Sequence, residues 1–136
     1  MNLATLRIEG TDEALEQLIG QLNLDIDVSW KKGEMDSCGI YEISGLNSTI
    51  ADTKTPRQLT EAIIDFANQC KSKNINLSST NISTELDIGI GVGYSEQFVA
   101  SVSFSPTELQ LISSIGITLS VTAYPTSDES SDNENT

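Results

Sequence analysis

The spacing of apolar and polar residues predicts where the first strand and the first helix lie. Apolar residues alternate with polar ones over residues 3–9, which predicts a strand with Ala4, Leu6 and Ile8 on one face. A helix is expected directly afterwards, because Thr11 is a preferred capping residue and the apolar spacing becomes helical. The buried stripe of this helix is expected to contain Ala14, Leu15, Leu18, Ile19 and Leu22.

The middle of the chain predicts further strands and a second helix. The clearest half-buried strand has its apolar positions at Leu24, Ile26, Val28 and Trp30. A turn at residues 32–34 leads to another strand over 39–44, and residues 45–54 are expected to form a loop. Thr55 and Pro56 then begin a helix in the preferred order of cap and proline. Its inner face is expected to contain Leu59, Ala62, Ile63, Phe66, Ala67 and Cys70.

The second half of the chain predicts a hairpin and a short capped helix. Residues 84–94 and 97–104 are expected to be two strands joined by a short turn. Ser105 and Glu108 have the spacing of a capping box, and Gly116 is a natural helix stop. The residues of this helix expected to point inward are Leu109, Ile112 and Ile115.

The predicted elements indicate an α+β fold. A last alternating strand over residues 117–124 gives the order βαββα followed by ββαβ. Helices of these lengths cover one face of a mainly antiparallel sheet, so we expect a two-layer α/β sandwich related to the split βαβ plan. Residues 1–125 are expected to form a single domain. Residues 126–136 contain only small and acidic polar residues, and we expect a disordered acidic tail.

The net charge of the chain indicates which class of partner it can bind. The chain has 20 acidic and 7 basic residues and no histidine, for a net charge of −13. Such a surface repels a phosphate backbone and attracts a basic protein, so we expect no nucleic-acid partner. The lack of histidine removes the commonest proton-transfer group near neutral pH. We therefore expect no catalytic, metal-binding or cofactor-binding residues, and a protein that is not an enzyme.

Two groups of acids are candidates for binding a basic protein. Asp25 and Asp27 are predicted to share one strand face, as are Glu85 and Asp87, on the open side of the sheet. Further acids, Asp12, Glu13 and Glu16, lie at the start of the first helix. Both groups also have an ordinary explanation, which is a solvated sheet face for the strand acids and dipole complementation for the helix acids.

A glycine-rich run suggests a different kind of site. Gly89, Gly91 and Gly93 alternate with branched apolar residues, so they belong to a strand and not to a phosphate-binding turn. Glycine in a strand often marks the close approach of a bulky neighbour such as a helix or Trp30. The alternative is a flat floor for a small ligand, bounded by the aromatic residues Trp30, Tyr41 and Tyr94.

Three segments together resemble a known bacterial family. Residues 4–22, residues 30–43 with their Trp-Lys-Lys-Gly-Glu turn, and residues 105–125 are similar in order and spacing to domain of unknown function 4279. That family commonly has tryptophan where this chain has Tyr41. The resemblance implies an α+β fold, a bacterial origin and a link to toxin immunity, and it carries no active site over.

These observations lead to one functional hypothesis and one alternative. We expect an acidic binding protein that acts as an immunity-type inhibitor of a basic bacterial toxin, with carboxylates steering association. The alternative is a module that binds a small ligand or serves structural interactions. We expect a cytoplasmic location without membrane contact, because no signal segment or long apolar run is present. A reducing compartment would keep Cys38 and Cys70 as thiols.

Overall fold

The computed structural model describes residues 1–93 and 97–125, which form a five-stranded sheet, a separate two-stranded hairpin and three helices. The predicted tail and Tyr94 lie outside the described residues. In chain order, the elements are β1 (Asn2–Gly10), α1 (Asp12–Leu22), β2 (Val28–Trp30), β3 (Met35–Asp36), β4 (Gly39–Ile40), β5 (Ser44–Thr53), α2 (Pro56–Ser72), β6 (Ile82–Val92), α3 (Pro106–Ser114) and β7 (Ile117–Pro125).

The five-stranded sheet has the order β2-β5-β1-β6-β7. β1 pairs antiparallel with both β5 and β6, β2 pairs antiparallel with β5, and β7 pairs parallel with β6. In the unit β1-α1-β2 the two strands are therefore parallel, with β5 between them. In the unit β5-α2-β6 the two strands are also parallel, with β1 between them. This is the split βαβ plan, to which α3 and β7 add a parallel strand. The predicted α+β class with a mainly antiparallel sheet is confirmed.

The hydrophobic core lies between the sheet and the three helices. Ala4, Leu6 and Ile8 of β1 have no exposed surface, as the sequence predicts. Their neighbours Leu86 and Ile88 on β6 point to the same side, because residues paired across strands share a face. Buried residues of α1, α2 and α3 complete this cluster. All three helices thus cover one face, and none of these described helices is long and apolar enough to cross a membrane.

The helix caps predicted from the sequence are present. The Thr11 hydroxyl accepts a hydrogen bond from the Ala14 amide at 3.2 Å, and Thr55 caps α2 in the same way. Ser105 and Glu108 form the reciprocal capping box of α3. Gly116 follows α3 with a φ of +83°, a conformation that glycine adopts without strain.

The strand predicted over residues 24–30 is shorter than expected. Only Val28–Trp30 pairs with β5, and Ile26 and Val28 are 42% and 54% exposed. β2 is an edge strand, and the helices pack on the opposite face from Val28. Trp30 lies on the same face as Val28 and is buried there over Gly45, whereas Leu24 precedes the strand and is only partly buried.

The loop predicted over residues 45–54 is wrong, because this segment is most of β5, an interior strand of the sheet. The strand predicted over 39–44 is reduced to the two residues of β4 and the start of β5. Ser48 occupies a core position on β5 with 1% exposure, and its hydroxyl donates to the Asp25 carbonyl at 2.6 Å. A buried serine breaks the apolar alternation that marks a strand, although its polar group is satisfied.

The hairpin predicted over residues 84–104 is also wrong in its second half. β6 matches the first strand, but residues 97–105 contain no strand, and the place beside β6 is taken by the parallel β7. Val102 and Phe104 instead pack against the core as the chain crosses to α3. The predicted inward position of Leu109 is wrong as well, because it is 48% exposed while Ile112 and Ile115 are buried.

Candidate functional site

The sheet face opposite the helices is the main candidate for function, and we call it the open face. It consists of the odd-numbered residues of β1 from Leu3 to Glu9 and of the residues paired with them. Arg7 lies near its centre, between Asn47 on β5 and Glu85 on β6. Because directly paired side chains are about 5 Å apart, these three polar groups are close neighbours.

Trp30 and Tyr41 form an aromatic stack at one side of the open face. Their ring centroids are 5.5 Å apart with an interplanar angle of 21°. The Trp30 ring lies over Gly45 of β5, where a Cβ atom would overlap the ring. The absence of a side chain at Gly45 therefore lets this large ring lie flat on the sheet. Trp30 is only 6% exposed although no helix covers it.

Arg7 connects the aromatic stack to the acidic part of the open face. Its guanidinium carbon lies 4.6 Å from the centroid of the Trp30 ring, within the range of a cation–π contact. Its Nε atom lies 3.8 Å from Glu9 Oε1 at the surface. Both partners hold the guanidinium group against the sheet, so its charge is partly balanced in place.

Two buried polar atoms beside this cluster have no hydrogen-bond partner among the described residues. They are Nε1 of Trp30 and Oδ1 of Asn47. A buried donor and a buried acceptor without partners each lower the stability of the fold by about 1–3 kcal/mol. Both atoms belong to side chains on the open face, and both have almost no exposed surface there.

The carboxylates predicted on the open face lie where the sequence places them. Glu85 and Asp87 both point from β6 to the open side, beside Arg7. The Ser120 hydroxyl donates to Glu85 Oε2 at 3.1 Å, and the Thr122 hydroxyl donates to Asp87 Oδ1 at 2.7 Å. These hydrogen bonds from β7 fix the two side chains and leave further carboxylate lone pairs free.

The second predicted acid pair, Asp25 and Asp27, lies just before β2, and its two side chains have different surroundings. Asp27 reaches the open face, where its Oδ2 atom accepts a hydrogen bond from the Thr49 hydroxyl at 2.6 Å. Asp25 is exposed, and the contact that fixes it is through its backbone carbonyl to Ser48. Asp27 therefore joins the open-face acids, whereas Asp25 does not share a regular strand face with it.

The three helix acids lie on the other layer of the molecule. Asp12, Glu13 and Glu16 are exposed on α1, which packs on the helix-covered face of the sheet. Asp12 lies 3.9 Å from the Lys31 ammonium, and Asp12 and Glu13 occupy the first helical turn. The predicted acids thus form two separate groups and not one patch.

The glycines of β6 are explained in part by a neighbouring aromatic ring. A Cβ atom on Gly89 would lie 2.9 Å from Cε2 of Tyr124, so this glycine faces the ring of the adjacent strand. The bulky neighbour is Tyr124 and not Trp30 or a helix. Gly91 donates its amide hydrogen to the Met1 carbonyl at 2.7 Å, so the chain start closes against this end of β6.

Of the residues predicted to form a ligand face, Trp30 and Tyr41 are brought together in the aromatic stack, but Gly89 is not beside them. Trp30 and Tyr41 lie over β5, whereas Gly89 lies on β6, and β1 runs between these two strands. Gly93 follows the end of β6, and Tyr94 lies outside the described residues. The structure therefore shows two glycine–aromatic contacts at separate places, Trp30 over Gly45 and Tyr124 over Gly89.

Two titratable groups near the site have a pKa that departs from its ordinary value. They are Asp36 in β3 and Tyr41 directly after β4. The Cys38 amide donates to Asp36 Oδ1 at 2.8 Å, and this bond together with the Tyr41 phenol lowers the pKa of Asp36. The same carboxylate raises the pKa of the Tyr41 phenol. Elsewhere, burial raises the pKa of the Cys70 thiol to about 11, whereas Cys38 is exposed.

A groove of about 480 Å³ lies at the end of the sheet where β1 meets the start of β6. Its walls include the acids Glu9, Asp12 and Glu42 together with Lys32. Like the open face, it is mainly acidic. Within residues 1–93 and 97–125, no three His, Cys, Asp or Glu side chains are grouped closely enough to hold a metal ion.

Sequence reasoning missed three central members of the open face, namely Arg7, Gly45 and Asn47. Arg7 has the spacing of any exposed polar residue in β1, and Gly45 and Asn47 lie within the segment that the sequence predicts to be a loop. Gly45 follows a serine and precedes a leucine at a core position, which is a weak strand signal. Contacts between residues so far apart along the chain depend on strand order, which local spacing does not give.

Comparisons with protein-family models, with curated proteins and with solved structures find no match to this chain. The resemblance to domain of unknown function 4279 therefore stays a prediction.

Proposed function

We propose that this protein is a non-enzymatic binding protein that holds a basic protein on its open face, as an immunity-type inhibitor holds a bacterial toxin. The observation that carries this proposal is the pair Glu85 and Asp87, which lie on the sheet face opposite the described helices and are each held by a hydroxyl of β7. Carboxylates already fixed in place lose little conformational entropy when they pair with a cation.

The open face supports this role better than the acids of α1 do. Asp12 and Glu13 complement the positive end of the helix dipole, so the fold itself accounts for them. Glu85 and Asp87 lie in the middle of a strand, where no such dipole exists. Their charges are therefore free to serve recognition.

Aromatic residues beside the carboxylates complete the features of a protein-binding surface. Interfaces are enriched in Trp, Tyr and Arg, and these residues supply most of the binding energy at their centres. Arg7 is exposed and Tyr41 is half-buried on the open face, and both contact the buried ring of Trp30.

The overall charge favours a cationic partner. At −13 the chain attracts a basic surface over a distance set by the ionic strength, about 10 Å at 0.1 M salt. It repels nucleic acid for the same reason. An acidic inhibitor that covers the cationic substrate site of a toxin would combine this steering with the contacts of the open face.

The proposal is tested by capture from an extract of the host cell on immobilised full-length chain. A basic protein should be retained at low salt, its association rate should fall steeply as salt rises, and its enzymatic activity should be blocked at an equimolar ratio. Lysozyme, an unrelated basic protein, serves as the control for non-specific attraction.

Two results would overturn the proposal. One is that no captured protein binds more strongly than lysozyme does. The other is saturable binding of a small apolar compound that the substitution Gly91→Val abolishes without unfolding the domain, which would support the ligand-binding alternative.

A further inference from the structure

The outer edge of β7 is the longest unpaired strand edge in the described part of the chain. β7 is the last strand of the sheet, and its nine residues pair on one side only. The opposite edge strand, β2, has three residues and is followed by the β3–β4 hairpin. A strand edge presents a row of backbone donors and acceptors that can pair with another chain.

β7 lacks the features by which proteins normally protect such an edge. It has no charged side chain and no bulge in its pairing with β6, and its single proline is the last residue, Pro125. Among the described strands longer than three residues, it is the one without a charge. Its central residue, Val121, is apolar and 59% exposed.

We propose that the β7 edge binds the β7 edge of a second copy of this chain, forming an antiparallel pair around a two-fold axis at Val121. Two sheets would then join into one continuous sheet of ten strands. This surface is separate from the open face, so the inference does not depend on the proposed function.

The alternation of β7 fits self-pairing at this register. With Val121 opposite its copy, Leu119 lies opposite Ala123, and both point to the helix side of the sheet. Ser120 lies opposite Thr122, and both point to the open side. Apolar residues therefore meet apolar residues, and hydroxyl groups meet hydroxyl groups.

Charge is the reason to assign a second copy as the occupant. Two molecules of −13 repel each other over most of their surfaces, and like charges directly opposite each other weaken a strand pair. The β7 edge brings no charged side chains together. An antiparallel arrangement also places the two Pro125 residues at opposite ends of the pair.

The first test is the mass of the full chain in solution, measured by analytical ultracentrifugation over a dilution series. The wild type should sediment at twice the chain mass of 14.7 kDa and dissociate on dilution. Val121→Asp should weaken the dimer by at least about tenfold, because two carboxylates would then face each other. Val28→Asp is the matched control, since it changes the charge equally at an exposed valine of the other edge strand.

Higher salt should strengthen the dimer, because it screens the repulsion between two acidic molecules. This dependence is opposite in sign to the one expected for a basic partner. A wild type that remains monomeric throughout the dilution series would overturn the proposal, and so would equal weakening by the two aspartate variants.

A second measurement reports the register directly. In a Cys38→Ser background, which removes the exposed thiol, Val121→Cys should be joined to its copy by a short bis-maleimide, because opposed residues in an antiparallel pair have Cα atoms about 4.5–5.5 Å apart. Val28→Cys should remain uncrosslinked. A dimer in which only Val28→Cys is joined would place the interface elsewhere and reject the β7 edge.

Discussion

The two faces of the five-stranded sheet use neighbouring residues for opposite purposes. On β6, Leu86 points into the core with no exposed surface, whereas Glu85 points to the open side and accepts a hydrogen bond from Ser120. The helix face holds the fold together through apolar packing. The open face carries charges that the fold does not require, so it is the face on which recognition can be built at little loss of stability.

The largest expected effect comes from truncating the helix face. Leu86→Ala should lower the free energy of unfolding by about 2–5 kcal/mol, because it leaves a cavity among fully buried side chains. Glu85→Ala, one residue earlier on the same strand, should change it by less than about 0.5 kcal/mol. Denaturant unfolding followed by circular dichroism measures both, and equal losses would contradict the division of labour between the faces.

Of the two glycine–aromatic contacts, the one between Gly45 and Trp30 should give the next largest effect on stability. Gly45→Ala drives a methyl group into the Trp30 ring and to within 2.8 Å of the Ile8 carbonyl, so it should lower stability by about 1–3 kcal/mol. Gly89→Ala meets the Tyr124 ring, which is 40% exposed and able to move, so its effect should be smaller.

The emission of the single tryptophan provides the readout for this comparison. It should shift to longer wavelength in Gly45→Ala as Trp30 leaves its buried position, and it should stay unchanged in Gly89→Ala. Unchanged emission in both variants would mean that Gly45 is not what seats the ring.

Much of the helix face could be predicted from the sequence, because its signals are local. The caps at Thr11, Thr55 and Ser105 and the apolar stripes of α1 and α2 are set by residues three or four positions apart. β5 could not be predicted this way, since Ser48 takes a core position and hides the alternation. Residues 97–105 show the opposite error, because an alternating segment can also be an extended crossing chain with no strand partner.

On the open face, the sequence predicts the positions of the acids only. Glu85 and Asp87 belong to a strand whose alternation is clear, so their side follows from Leu86. The contact of Trp30 with Gly45 and Arg7 depends on β5 lying between β2 and β1, which no local pattern reveals. The sequence therefore indicated the charge on this face, and it named Trp30 and Tyr41 without showing that they stack over Gly45 and Arg7.

A smaller effect is expected from the capping box of α3, which belongs to the helix layer. Ser105→Ala removes the acceptor for the Glu108 amide and should lower the free energy of unfolding by about 1 kcal/mol. Ser103→Ala, an exposed serine two residues earlier, is the matched control. A loss no larger than that of the control in thermal or denaturant unfolding would argue against this helix start.

The smallest effect is a local titration beside the open face. The hydrogen bond to Asp36 raises the pKa of Tyr41 above its ordinary value of 10.0, so the stability from this contact is fully present below pH 10 and is lost as pH rises through the raised pKa. Asp36→Asn should lower the Tyr41 pKa, measured as the ultraviolet absorbance difference from Tyr41→Phe. Asp65→Asn on α2 should leave it unchanged, and an equal shift in both variants would contradict the contact.

The central claim is that the open face, and not negative charge in general, binds the basic partner. The most direct measurement is the dissociation constant of the captured partner by titration calorimetry for two double charge reversals, Glu85→Lys with Asp87→Lys and Glu13→Lys with Glu16→Lys. Both alter the net charge equally, one on the open face and one on α1. The account predicts that the first pair weakens binding by at least about a hundredfold, through two lost contacts, while the second weakens it by less than about tenfold through long-range attraction. Equal losses, or a larger loss from the α1 pair, would contradict it.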